Sequence, residues 1–113
     1  MAIKYYEVPE KRQVVAVMAG TKYDAFNKIQ KLMNKAGYNF SPVSYREFES
    51  YLMPDDFKIV LTCDERDEYN FEVGKQIAKR KLLKNYRRSL DKRIKKFHDS
   101  VAQFITNMGC ENS

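Results

Sequence analysis

Residues 71–108 read FEVGKQIAKRKLLKNYRRSLDKRIKKFHDSVAQFITNM, and the fold turns on how far a helix runs through them. No Pro interrupts the stretch, and no Gly follows Gly74 within it. The spacing therefore predicts one helix from Phe71 to about Met108. Such a helix of 38 residues would extend about 57 Å at 1.5 Å per residue.

Its apolar positions change side along the way. Phe71, Gly74, Ile77 and Ala78 define one face over the first two turns. From Leu82 onward Leu83, Tyr86, Leu90, Ile94, Phe97, Val101, Phe104 and Met108 define another, rotated by more than a right angle. From Leu90 the steps run 4, 3, 4, 3, 4, the a/d spacing of a coiled-coil seam. One flat sheet cannot cover both faces. Either the helix bends near Lys79–Lys81 and folds back onto an earlier helix, or its second half leaves the domain. Six seam residues left in water would forgo on the order of 10 kcal/mol, at ~1.5–3 each. The seam Leu90, Ile94, Phe97, Val101, Phe104 and Met108 is therefore expected to meet a second copy in a homo-oligomer.

Opposite the seam lie Lys81, Lys84, Arg88, Lys92 and Lys95, flanked by Arg80, Arg87 and Lys96. The net charge of +6 comes almost wholly from this region. Residues 1–70 carry 10 basic and 11 acidic side chains, whereas residues 71–96 carry 11 basic and two acidic ones. Like charges at i, i+3 and i+4 repel, with only Glu72 and Asp91 to relieve them. A row of cations at helical spacing suits a phosphate backbone better than a single carboxylate. The plainer alternative is a solvated helix face. Lys81, Lys84, Arg87, Arg88, Lys92 and Lys95 form the expected phosphate-binding set.

Upstream, the pattern changes from 3.6 to 2. Ile3 to Val8 alternates and is rich in Tyr, Pro9-Glu10-Lys11-Arg12 makes a polar turn, and Val14 to Met18 is a β-branched run. Together they predict a hairpin that ends at Gly20. Thr21-Lys22-Tyr23-Asp24 resembles a capping box with Asp for Glu. Ala25, Phe26, Ile29, Leu32, Met33 and Ala36 follow at helical spacing, with Gly37 as a left-handed stop. This first helix is expected to lie across the hairpin. Ser44 to Met53 suggests a short helix through Tyr45, Phe48 and Leu52. After the turn at Pro54-Asp55-Asp56, a strand places Phe57, Ile59, Leu61 and Cys63 on the core side and Lys58, Val60 and Thr62 on the other. An acidic loop leads to Asn70, a good N-cap for the long helix. Gly74 and Ala78 would let that helix approach the sheet closely. The expected class is α+β: a small antiparallel sheet of hairpin plus third strand, one packed helix and a long basic C-terminal helix.

A length of 113 residues fits one domain with a modest core. No apolar run approaches the ~18 residues of a membrane span, and Met1 to Tyr6 begins like a strand rather than a signal peptide. Cys63 and Cys110 read as two free thiols in a reducing compartment. The expected location is the cytoplasm. The chemistry-bearing residues are sparse. His98 has no sequence partner, the two cysteines lack the paired spacings of a zinc set, and the four glycines form no phosphate loop. Asp64, Asp67 and Glu68 show no ordered metal-loop pattern. With no nucleophile–base pair in evidence, a non-enzymatic binding protein without cofactor or metal is expected.

The run Phe57-Lys58-Ile59-Val60-Leu61-Thr62-Cys63, then Asp67-Glu68-Tyr69-Asn70, Gly74, Ala78 and Lys79-Arg80-Lys81 resembles short proteins of phages and mobile elements of Gram-positive bacteria. In that group a strand ends in Cys, an Asp-x-Phe/Tyr-Asp/Asn step follows, and Gly and Ala lie on a helix. The resemblance covers some 30 residues, under a third of the chain. It implies a mobile-element origin, and a host-cell cytoplasm as the place of action, but no catalytic residues. The expectation is thus an accessory protein that binds a phosphate-rich ligand, nucleic acid first and largely without sequence preference. The rival is an anti-defence inhibitor or sponge. It would dock on a host protein, or clamp a nucleotide pyrophosphate between Lys84 and Arg88 beside Tyr86 or Tyr69.

Overall fold

A computed structural model of the chain describes residues 2–37 and 49–112, with side chains through Gln103. The strands are β1 (Ile3–Val8), β2 (Gln13–Ala19) and β3 (Asp56–Thr62); the helices are α1 (Asp24–Lys35) and α2 (Phe71–Asn112). The class is α+β, as the sequence predicts. The strands form one antiparallel sheet in the order β1-β2-β3. The chain divides into two compact units, Met1–Lys22 with Pro54–Arg88 and Tyr23–Met53 with Ser89–Ser113.

In the first unit the hairpin closes through a short 3-10 turn at Pro9–Lys11 and Arg12 in the left-handed region, φ 52°. Tyr5 pairs with Ala16, and Ala16 with Ile59. Period-2 alternation then buries Val14, Ala16 and Met18 on one face of the central strand. That face is covered by the start of α2: Ala78 and Leu82 are fully buried against it, with Phe71, Leu83 and Tyr86 at the margin. Tyr86 meets Phe57 edge to face at 5.7 Å.

Gly74 makes this approach possible. A Cβ added there would fall 2.6 Å from Val14 Cγ2, well inside van der Waals contact. Ile77 departs from the sequence reading, since it is 37% exposed. One residue before Ala78, it is turned about 100° away from the sheet.

The first helix, expected across the hairpin, belongs to the second unit. The helix on the sheet is α2, and α1 finds its partners in the second unit. There Ile29 is fully buried with Tyr51 and Phe97, and Met33, Ile94 and Val101 pack around them. Tyr51 and Phe97 meet edge to face at 6.1 Å. Only Ala25 and Ile29 of α1 are fully buried, while Leu32 is 45% exposed. Arg93 Nε donates to the Leu52 carbonyl at 2.7 Å, and Nη1 bonds Ser89.

The capping box is also corrected. Tyr23 occupies the N-cap of α1, with no side-chain cap bond. Thr21 is instead buried, and its hydroxyl donates to the Pro54 carbonyl at 2.6 Å. A buried hydroxyl needs a partner, and this one ties the end of β2 to the chain entering β3. Gly37 has φ 88°, and its N–H donates to Asn34 O at 3.0 Å, the left-handed stop expected. Of the short helix expected after Ser44, residues 38–48 lie outside the described residues; Glu49 and Ser50 are helical. Among the described residues no helix is long and apolar enough to cross a membrane.

Candidate nucleic-acid interface

The helix that carries the basic residues is started by Asn70. Its Oδ1 accepts from the N–H groups of Glu72 and Val73 at 3.0 and 3.2 Å, satisfying two donors that the first turn leaves free. Glu72 adds a carboxylate at the positive helix end and pairs with Lys75 at 3.2 Å. The Lys75 ammonium also lies 5.0 Å from the Phe71 ring centroid and 5.8 Å from that of Tyr5. Lys75 is thus engaged locally.

Beyond it the helix continues unbroken through Lys79–Lys81. The side chains of Lys81, Lys84, Arg87, Arg88, Lys92 and Lys95 are all exposed. Among the described residues none of the six makes an ion pair or hydrogen bond. Arg80 and Lys96 are exposed beside them. Lys81, Lys84, Arg87 and Arg88 belong to the first unit and Lys92 and Lys95 to the second; within the first, Lys81 to Arg88 extends about 10 Å along the helix at 1.5 Å per residue, roughly three base pairs at 3.4 Å. Arg93 is the exception among these cations. It turns inward to Leu52 and Ser89 and belongs to the packing of the second unit.

Four of the six seam residues have described side chains. Leu90 and Phe97 are 9% and 8% exposed in the single chain, and Ile94 and Val101 are half-buried. The argument for a second copy rested on a bare seam. At these four positions the chain itself supplies cover, through Ile29, Met33 and Tyr51 for the group around Phe97. Phe104 and Met108 lie outside the residues whose side chains are described.

A second candidate is a cavity of about 600 Å³ where β3 gives way to α2. Val14, Leu61, Val73, Gly74 and Ile77 line its apolar side; Arg12, Cys63, Asp64, Asp67, Glu68, Tyr69 and Asn70 line the rest. Arg12 organises the loop. Its Nη2 donates to the carbonyls of Asp64 and Asp67 and lies 3.6 Å from Cys63 Sγ, and the guanidinium stands 5.9 Å from the Tyr69 ring centroid. Cys63 N–H in turn donates to Arg12 O at 2.8 Å. Sequence reasoning missed this arrangement, since Arg12 lies about fifty residues from everything it holds. Tyr69 donates to Glu7 Oε1 at 2.9 Å. Desolvation, and next the Glu7 carboxylate, push its phenol above the ordinary value of 10.0, while Arg12 opposes them. Three carboxylates against one guanidinium make this cavity unfavourable for an anion.

The aromatic partners imagined for a nucleotide clamp are already committed, Tyr86 to the sheet cluster and Tyr69 to Glu7. His98 is exposed on the second unit. Among the described residues no group of three His, Cys, Asp or Glu side chains could hold a metal ion. In comparison with known proteins, no family model, no curated protein and no solved structure matches this chain.

Proposed function

We propose that the chain is a non-enzymatic, cytoplasmic accessory protein of phage or mobile-element type that binds nucleic acid through the outer face of α2. The observation that carries the reading is the exposure of Lys81, Lys84, Arg87, Arg88, Lys92 and Lys95 without partners among the described residues. Cations crowded at i, i+3 and i+4 destabilise a helix when nothing neutralises them. A phosphate backbone relieves that repulsion and releases its own counterions, which supplies affinity without reading sequence. A row of cations meets phosphates rather than base edges, so the binding is expected to be largely sequence-independent. The mobile-element origin rests on the resemblance of residues 57–81 alone.

Salt dependence tests the reading. Four or five phosphate contacts give a log–log slope near −0.9 per contact on duplex DNA, a loss of roughly two to three decades between 50 and 200 mM salt. Replacing Arg88 and Lys92 with Gln should make the slope shallower by about two, with the circular dichroism unchanged. A flat salt dependence, or no binding to DNA or RNA of any length, would overturn it. The anti-defence reading, in which the same charges meet an acidic host protein, would then take its place.

A further inference from the structure

The sheet of the first unit has a second face, which α2 does not cover. Register places three rows across it: Lys4, Val17 and Lys58; Tyr6, Val15 and Val60; Val8, Gln13 and Thr62. The third row is marked by a hydrogen bond from Gln13 Nε2 to Thr62 Oγ1 at 3.2 Å. In the middle row Tyr6 is 53% and Val60 49% exposed, with Val15 half-buried between them. Neighbouring strands lie about 4.8 Å apart, so this row is an apolar bar nearly 10 Å wide with one ring standing above two short side chains. Lys4 and Lys58 are exposed and flank the adjacent row at the two sheet edges. The carboxylate that strand alternation adds to this face is Asp56, at the far end of β3 beside Ala19.

We infer that this face is a stacking platform for single-stranded nucleic acid. Tyr6 takes a base on its ring, Val15 and Val60 form the floor, and Lys4 and Lys58 meet the flanking phosphates. The inference rests on the proposal that the ligand is nucleic acid, and adds a second surface and a preference for unpaired strands. An apolar platform between two cations matches a chain whose bases are apolar on their faces and whose links are anionic. Every base has such a face, so stacking tolerates any sequence. A duplex keeps its base faces covered by its own stack and has none to offer Tyr6. Lys81, Lys84, Arg87 and Arg88 cannot make this distinction, because a cation meets the phosphates of either form. Within the first unit they also face away from the platform, since Ala78 and Leu82 of the same helix enter the opposite face of the sheet.

A competing account exists for each part. Lysines on edge strands deter edge-to-edge pairing, and a lone surface Tyr needs no ligand. One titration separates the accounts. Fluorescently labelled dT12 and a duplex of equal length are bound at low salt by wild type, Tyr6→Ala, Tyr6→Phe, the pair Lys4→Gln/Lys58→Gln, and the pair Arg88→Gln/Lys92→Gln. Tyr6→Ala should weaken dT12 binding roughly tenfold, as loss of one stacked base does, and leave the duplex unchanged. Tyr6→Phe should retain the wild-type affinity. The Lys4/Lys58 variant should reduce the single-strand salt slope by about 1.4, at 0.7 per phosphate. If Tyr6→Ala binds dT12 as wild type does, or loses both ligands equally, the platform is wrong. It is equally wrong if Tyr6→Ala abolishes self-association with dT12 affinity unchanged. The helix reading survives each of those results provided Arg88→Gln/Lys92→Gln still flattens the salt slope. Wild type binding neither ligand would end both.

Discussion

At Gly74 and Ala78 the long helix buries small residues against a sheet before Leu82 completes that core, whereas between Ile94 and Val101 it packs large side chains beside Ile29 and Tyr51. The outer face is the same in both halves: exposed and basic. The two inner faces solve different packing problems. A helix backbone can come close to a pleated sheet only where side chains are short, so Gly74 lies against Val14 and Ala78 is fully buried in the cluster with Val14, Ala16 and Met18. Meeting another helix requires side chains that fill the 8–10 Å between axes, and Phe97 and Ile94 do so. The difference teaches that a continuous helix can serve two local cores if its apolar line winds around it. Gly74, Ala78, Leu82, Tyr86 and Leu90 step by four, and each such step drifts by about 40°.

The largest expected effect lies in the second half. Phe97→Ala should lower stability by about 3–5 kcal/mol in urea unfolding, the usual cost of emptying a buried aromatic site. A loss under about 1 kcal/mol, together with a wild-type dimer in light scattering, would show that Phe97 belongs to an interface between chains. That result would restore the seam as first read and break the comparison.

In the first half, Leu82→Ala should cost about 3 kcal/mol by the same measurement, since the side chain is fully buried in the sheet cluster. Gly74→Ala sharpens the contrast further. On propensity alone Ala is better in a helix by about 1 kcal/mol, yet its Cβ would meet Val14 Cγ2 at 2.6 Å. The expected net effect is a destabilisation of about 1–3 kcal/mol. In the double variant with Val14→Ala the total should be smaller than the sum of the singles, as for residues that share one space. A more stable Gly74→Ala protein would mean that the helix does not approach the sheet this closely.

The smallest effect concerns Tyr69. Its folded-state pKa is raised by desolvation and by Glu7, so the neutral phenol is the form the fold favours. That contribution is complete below the ordinary value of 10.0 and is lost as pH rises through the folded value. Wild type should therefore lose its small stability advantage over Tyr69→Phe above about pH 10, read as converging thermal midpoints. Parallel curves across that range would show that the Glu7 hydrogen bond is not formed in solution.

Much of this fold was legible because its signals are local. Alternation from Phe57 to Cys63 named the core side of that strand, and the structure packs Phe57, Ile59 and Leu61 against the buried cluster; the unbroken apolar run from Val14 to Met18 named a strand but not its core side. Gly74 and Ala78 announced a close helix–sheet approach, and charge counts alone located the basic face. Each of these follows from a side-chain period or from composition, which the chain carries wherever it packs. What the residues could not announce were choices between partners distant in sequence. The apolar stripe on α1 suggested a place across the hairpin, but its buried Ile29 lies with Tyr51 and Phe97. Thr21 looked like a cap until a carbonyl 33 residues away claimed its hydroxyl. No local pattern marked Arg93 for its bond to the Leu52 carbonyl, and Arg12 became the tie of the 63–69 loop only when β2 and β3 were paired. Local periodicity determined which elements form and which face of each is apolar. Tertiary structure alone decided which faces meet and which polar atoms find a buried partner, because those free energies exist only when distant segments share the same space.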